Sequence, residues 1–125
     1  MTPTLLLIII TNFARMDIGN LQPLKEYAPL SVIAQRRAED LYNSDKLISH
    51  DKFWEYRKYA SYCEIFGENL IQNVSNPNFT VFEAHKAFMQ SEVHRGQIMT
   101  PEYNFIGIGI YKTVMVELFC YNRFI

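Results

Sequence analysis

Phe88 to Tyr111 reads FMQSEVHRGQIMTPEYNFIGIGIY, and its parsing decides the fold. It opens at the end of a helical pattern, passes through Ser91, His94 and Arg95, turns at Pro101, and enters the alternation Ile106-Gly107-Ile108-Gly109-Ile110. A two-residue period of branched aliphatics marks a strand. Gly107 and Gly109 share one face of it, which leaves room for a helix to approach closely or for a side chain such as His94 to lie against the sheet. A loop carrying a His beside an Arg and feeding a buried strand makes His94 the expected wall of a polar site. The rest of the chain is then the scaffold that brings His50 and Glu68 to it.

Working outward, Val114 to Tyr121 follows Phe105 to Tyr111 with only Lys112 and Thr113 between them, the spacing of a tight antiparallel hairpin. Upstream, Thr80 and Glu83 form a capping box, which starts a helix whose inner face is Val81, Ala84 and Phe88, with Ala87 beside them. Asn73 to Thr80 is a loop broken by Pro77, with glycan-acceptor patterns at Asn73-Val74-Ser75 and Asn78-Phe79-Thr80. Glu64 to Ile71 reads as a turn at Gly67 leading into a strand. Phe53 to Cys63 reads as a short helix that packs the rings of Trp54, Tyr56, Tyr59 and Tyr62.

From about Pro29 to Asn43, Leu30, Ile33, Ala34, Ala38 and Leu41 recur at helical spacing. Arg36, Arg37, Glu39 and Asp40 are expected on the solvated face. Lys46 to Asp51 leaves this helix and places His50 in a loop. At the N-terminus, the aliphatic run Leu5 to Ile10 is too short to span a bilayer. It has no basic segment before it and no small-residue cleavage site after it, so no intact signal peptide is visible. It reads as a buried first helix, with Thr2 as cap, Pro3 at the first helical position, Arg15 and Asp17 as its late polar part and Gly19 at its end. Leu21 to Leu24 is a connector broken by Pro23.

The 125 residues make one domain, long enough to bury a single core. A hydrophobic fraction of 49% excludes disorder, and runs of strands and helices point to an α+β, three-layer α-β-α sandwich with a small, mainly antiparallel sheet. A net charge of -1 provides no field for nucleic acid. Cys63 and Cys120 are either one disulfide or two buried thiols. Neither lies in a setting that marks a reactive thiolate.

In order along the chain, several pieces resemble the CAP superfamily of cysteine-rich secretory, antigen 5 and pathogenesis-related class 1 proteins, in its short bacterial form. Ile9 to Leu24 resembles the opening helix and its connector, and Ser49-His50 the S-H step. Gly67-Glu68-Asn69-Leu70 matches G-E-N-[LI]. Phe88 to Ile110 matches the block W-x-x-S-x-x-H-R-x-x-I-x-x-P-x-[YF]-x-x-[IV]-G-[IV]-G, with Phe88 in place of Trp. The resemblance implies an α-β-α sandwich with a shallow cleft, which in many members holds two His and two acids and in some binds zinc. By motif match, His50 and His94 take the His positions and Glu68 the first acid. Ser91 stands near where eukaryotic members carry the second acid, and Glu92 is one residue off. Asn69 and Arg95 complete the expected cleft.

Two His and a carboxylate can hold Zn²⁺ and leave a fourth position open for water. The spacing lacks the compact H-x-x-x-H of a metalloprotease helix, so the metal rests on the resemblance. The competing expectation is a hydrogen-bonded cluster of Glu68 and the two His that tethers loops to the sheet. His85 is expected as a surface or partly buried helix residue, Arg95 as paired to a carboxylate or loop carbonyl, and Ser91 as a hydrogen bond at a helix C-terminus rather than a nucleophile. The favoured function is a non-catalytic, extracellular-type binding module for a protein or an apolar small molecule. The alternative is a zinc-dependent hydrolase using His50, His94 and Glu68, with Glu68 as its candidate catalytic group.

Overall fold

A computed structural model describes residues 1–44, 48–73 and 80–125. Both glycan-acceptor patterns, and the start of the loop before His50, fall largely outside those residues. The chain runs α1 (Pro3–Asp17), β1 (Lys25–Glu26), α2 (Ala28–Tyr42), α3 (Phe53–Tyr59), β2 (Ile65–Gln72), α4 (Val81–Gln90), α5 (Glu92–Ile98), β3 (Phe105–Tyr111) and β4 (Val114–Tyr121). The sheet order is β1-β3-β4-β2, with β1 parallel to β3 and the other two pairings antiparallel.

Alternation along β4 divides the core in two. Val114, Val116, Leu118 and Cys120 face α2, where Leu30, Ala34 and Ala38 meet them. Met115 and Phe119 face the opposite way, onto Leu7, Ile8 and Ala14 of α1, Val81, Ala84 and Phe88 of α4, and Ile98 of α5. The result is the three-layer α-β-α sandwich expected from the sequence. A Cβ at Gly107 or Gly109 would run into the α2 backbone at Leu30–Ser31 and Ala34–Gln35. These glycines therefore admit a helix rather than His94, which belongs to the other layer. The hairpin closes as expected, with Lys112 in the left-handed region at φ 51°.

Cys63 and Cys120 form a disulfide with Cα atoms 5.3 Å apart, tying the segment after α3 to the end of β4. Thr2 and Thr80 cap α1 and α4 by accepting from Leu5 N and Glu83 N. Asn12 brackets Leu24, donating to its carbonyl at 2.9 Å and accepting from its amide at 2.8 Å, which fixes the connector beneath α1.

Several expectations are corrected. α1 is half-buried only, with Leu5, Phe13 and Met16 exposed, because a helix over one sheet face can bury one stripe. Arg15 stands in the late polar part of that helix, as expected, but it does not face solvent. It is fully buried and donates to the carbonyls of Gln22, Ile98, Thr100 and Tyr103. The left-handed residue after α1 is Asn20, φ 52°, rather than Gly19. Gly67 lies within β2 opposite Phe119, not in a turn, and a Cβ there would collide with Gln97 and Tyr103. α3 stops at Tyr59, and of its rings Tyr56 is buried while Trp54 and Tyr59 face solvent. His94 sits on helix α5 rather than in a loop: Ser91 breaks the α4 helix and caps the next one, accepting from His94 N at 3.4 Å.

Candidate functional site

β2 is an edge strand, and its residues alternate between the two faces of the sheet. Glu68 pairs in register with Leu118 and points toward α2. Asn69 pairs with Glu117 and points toward α1 and α5. The Gly67-Glu68-Asn69 sequence thus delivers one acid and one amide to opposite sides of the same edge.

On the α2 side, Glu68 is 5% exposed. Its Oε1 accepts from Arg37 Nη2 at 2.9 Å and lies 2.9 Å from His50 Nδ1, and its Oε2 accepts from Arg37 Nε. Arg37 Nη2 also donates to the carbonyl of Ser49, and the Arg37 guanidinium lies over the Tyr56 ring at 4.7 Å. Arg37 is therefore a buried clamp, not part of a solvated face as the charge pattern suggested. The signal was legible in the spacing: residue 37 follows Leu30 by seven and Ala34 by three, which places it on the inner stripe. The His50 ring is 56% exposed. Where it donates from Nδ1 to Glu68, its Nε2 is left as an acceptor.

On the other side, the His94 ring packs edge-on to Phe88 at 5.2 Å, and Asn69 Nδ2 holds the His94 carbonyl at 3.0 Å. Burial lowers the His94 pKa below its usual value, and the positive charge available to His50 lowers it further. The two imidazoles thus come from segments on opposite sides of the β2 edge. Arg95 donates at 3.0 Å to the carbonyl of Met89, in the last turn of α4, rather than to the carboxylate or loop carbonyl expected of it, and Glu92 is exposed. His85 is half-buried with Nδ1 unpartnered, and burial lowers its pKa.

Sequence reasoning passed over Glu117. Its carboxylate is wholly buried, accepting from Thr11 Oγ1 at 2.8 Å and Asn69 Nδ2 at 3.2 Å. Desolvation pushes its pKa up to about 7, against which the two hydrogen bonds pull down. The available signal was a lone acid inside the apolar run Val114 to Phe119 of a closing strand.

The residues present do not fit a divalent cation. Both oxygens of Glu68 are engaged, by the Arg37 guanidinium and the His50 ring, so its negative charge is already matched by a cation. Among the described residues no group of three or more His, Cys, Asp and Glu side chains is gathered closely enough to hold a metal. An open cavity of about 540 Å³ lies beside the site, lined in part by Arg37, Ser49, Asp51, Lys52 and Tyr56.

A sandwich of this topology, with an edge strand carrying Glu-Asn between two His-bearing segments, defines an SCP-type domain. The chain belongs to the cysteine-rich secretory protein family, CAP, whose model matches residues 18–115. Its fold is similar to an extracellular protein containing an SCP domain from Bacillus anthracis, with TM-score 0.85, 18% identity, and coverage of 96% of this chain and 40% of that one. It is also similar to a cysteine-rich secretory protein from Staphylococcus aureus, with TM-score 0.79, 18% identity, and coverage of 96% and 38%. An outer surface protein of Borrelia burgdorferi superposes with TM-score 0.80 at 20% identity, over 94% of this chain and 91% of that one. The chain thus spans about 40% of the length of the first two. No curated protein sequence matches it significantly. Among the described residues no helix is long and apolar enough to cross a membrane.

Proposed function

We propose that residues 1–125 act as one CAP domain, a non-catalytic extracellular binding module. Its cleft is formed by His50, Glu68, Asn69, Ser91, His94 and Arg95 at the β2 edge, and it takes a protein or an apolar small molecule. One observation carries this reading: Glu68 spends both oxygens on Arg37 and His50. A carboxylate so engaged is a poor general base and a poor metal ligand, but a good tether for the loop that presents His50. The buried disulfide supports an oxidising compartment and so an extracellular location.

The same observation weighs against a zinc-dependent hydrolase. Calorimetric titration of zinc into the protein near neutral pH, with a broad hydrolase screen of wild type and His94→Ala, separates the two. The expected outcome is no binding isotherm and no difference in the screen. A stoichiometric zinc isotherm, with turnover lost in His94→Ala, would replace the binding module by the hydrolase.

A further inference from the structure

The polar cluster Thr11–Glu117–Asn69 is sealed between α1, α5 and the sheet, and the cleft reading uses only its Asn69. Glu117 has no exposed surface, and its partners are one hydroxyl and one amide, both neutral. Of the charged and titratable groups on the surrounding elements, some are paired elsewhere, some are exposed, and His85 is half-buried with Nδ1 unpartnered. Arg15 of α1 is spent on four backbone carbonyls. Glu68 of β2 lies on the opposite face with Arg37. On α5, Glu92 and Arg95 are exposed, and the His94 ring packs on Phe88. On α4, Glu83 and Lys86 are exposed and His85 is half-buried.

The cluster also reaches the cleft. Asn69 Nδ2 is shared between Glu117 Oε1 and the His94 carbonyl, so a single amide joins the buried acid to the segment that carries the cleft imidazole. Asn69 Oδ1 is buried without a partner, so that amide is held from one side only.

We propose that Glu117 is a buried proton-controlled latch, whose ionisation loosens the seating of α1 and α5 on the sheet and so repositions His94. The neutral acid sits in an apolar layer at little cost. The ionised acid must be stabilised there by two neutral donors, and the remaining cost is relieved by admitting water between the elements that meet at it. Those elements are α1, through Thr11, and α5, through Asn69 and the His94 carbonyl. A ligand that requires a seated His94 therefore binds more weakly as pH rises through neutrality, by thermodynamic reciprocity. That last consequence rests on the cleft being the binding site; the latch itself does not.

The sign follows from linkage. An acid whose folded pKa lies near 7 against an ordinary 4.5 leaves the native state holding the extra proton between those values, so stability falls as pH rises across that window and levels off above it. The test uses the ligand-free protein, so its failure is distinct from a failure of the binding-module reading. Thermal denaturation and the His94 amide resonance are followed from pH 4.5 to 9 in wild type and Glu117→Gln, with the Glu117 carboxyl carbon titrated directly. The expected result is a Glu117 midpoint near 7, a parallel shift of the His94 amide, and a wild-type melting temperature that drops by several degrees over the window. In Glu117→Gln the amide shift disappears, the curve flattens, and the variant melts above wild type at pH 8. If Glu117→Gln does not fold, Thr11→Val removes one donor and moves the midpoint to higher pH. A Glu117 midpoint in the ordinary carboxylate range, or a His94 amide shift that persists in Glu117→Gln, overturns the proposal.

Discussion

Glu68 and Glu117 lie in neighbouring registers of adjacent strands, both buried, on opposite faces of one sheet. Glu68 meets a guanidinium and an imidazole, whereas Glu117 meets a hydroxyl and an amide. The same side chain therefore does two jobs. Where a cation was supplied, the acid becomes a fixed anchor for a loop. Where only neutral donors were supplied, desolvation brings it to the edge of ionisation at neutral pH. The difference lies not in how deeply each is buried but in whether α2 or α1 faces it, since α2 carries Arg37 inward and α1 carries Thr11.

The contrast makes graded predictions. The largest effect is expected from unpairing the charged side. Arg37→Met or Glu68→Ala, each leaving a buried charge alone, should destabilise by about 3–5 kcal/mol in denaturant unfolding. No change in melting temperature for Glu68→Ala would mean that this anchor is solvated. The double variant Arg37→Met/Glu68→Leu should recover most of that loss, because an apolar pair of similar volume carries no desolvation cost. Next comes Thr11→Val, expected to cost about 1–2 kcal/mol at pH 8, where it deprives an ionised acid of a donor, and less at pH 5, where the acid is neutral. The smallest effect is expected from His50→Ala, below about 1 kcal/mol, because its ring is 56% exposed and only its Nδ1 is engaged. Equal costs for His50→Ala and Arg37→Met would show that the imidazole, not the guanidinium, holds Glu68.

Local pattern was enough for much of the architecture. The hairpin Phe105–Tyr111 and Val114–Tyr121 and the Thr80 cap of α4 follow from short-range stereochemistry and were readable residue by residue, whereas the paired glycines left a helix and the His94 side chain as alternatives that only packing decided. The junction at Ser91 was not readable, because a single residue there ends one helix and caps the next. Gly67 looked like a turn because its reason for being glycine is a tertiary one, the room it leaves for Gln97 and Tyr103.

The chain alone determined the layers, the strands that close the sheet and which acids and imidazoles were candidates, since periodicity and capping act over a few residues. Only the folded molecule decided what each charged group does. Arg37 becomes a clamp, Arg15 a carbonyl tether and Glu117 a titratable acid through partners that are distant in sequence. The physical reason is that ionisation and pairing depend on the local dielectric and the nearest donors, and both are set by which elements pack together.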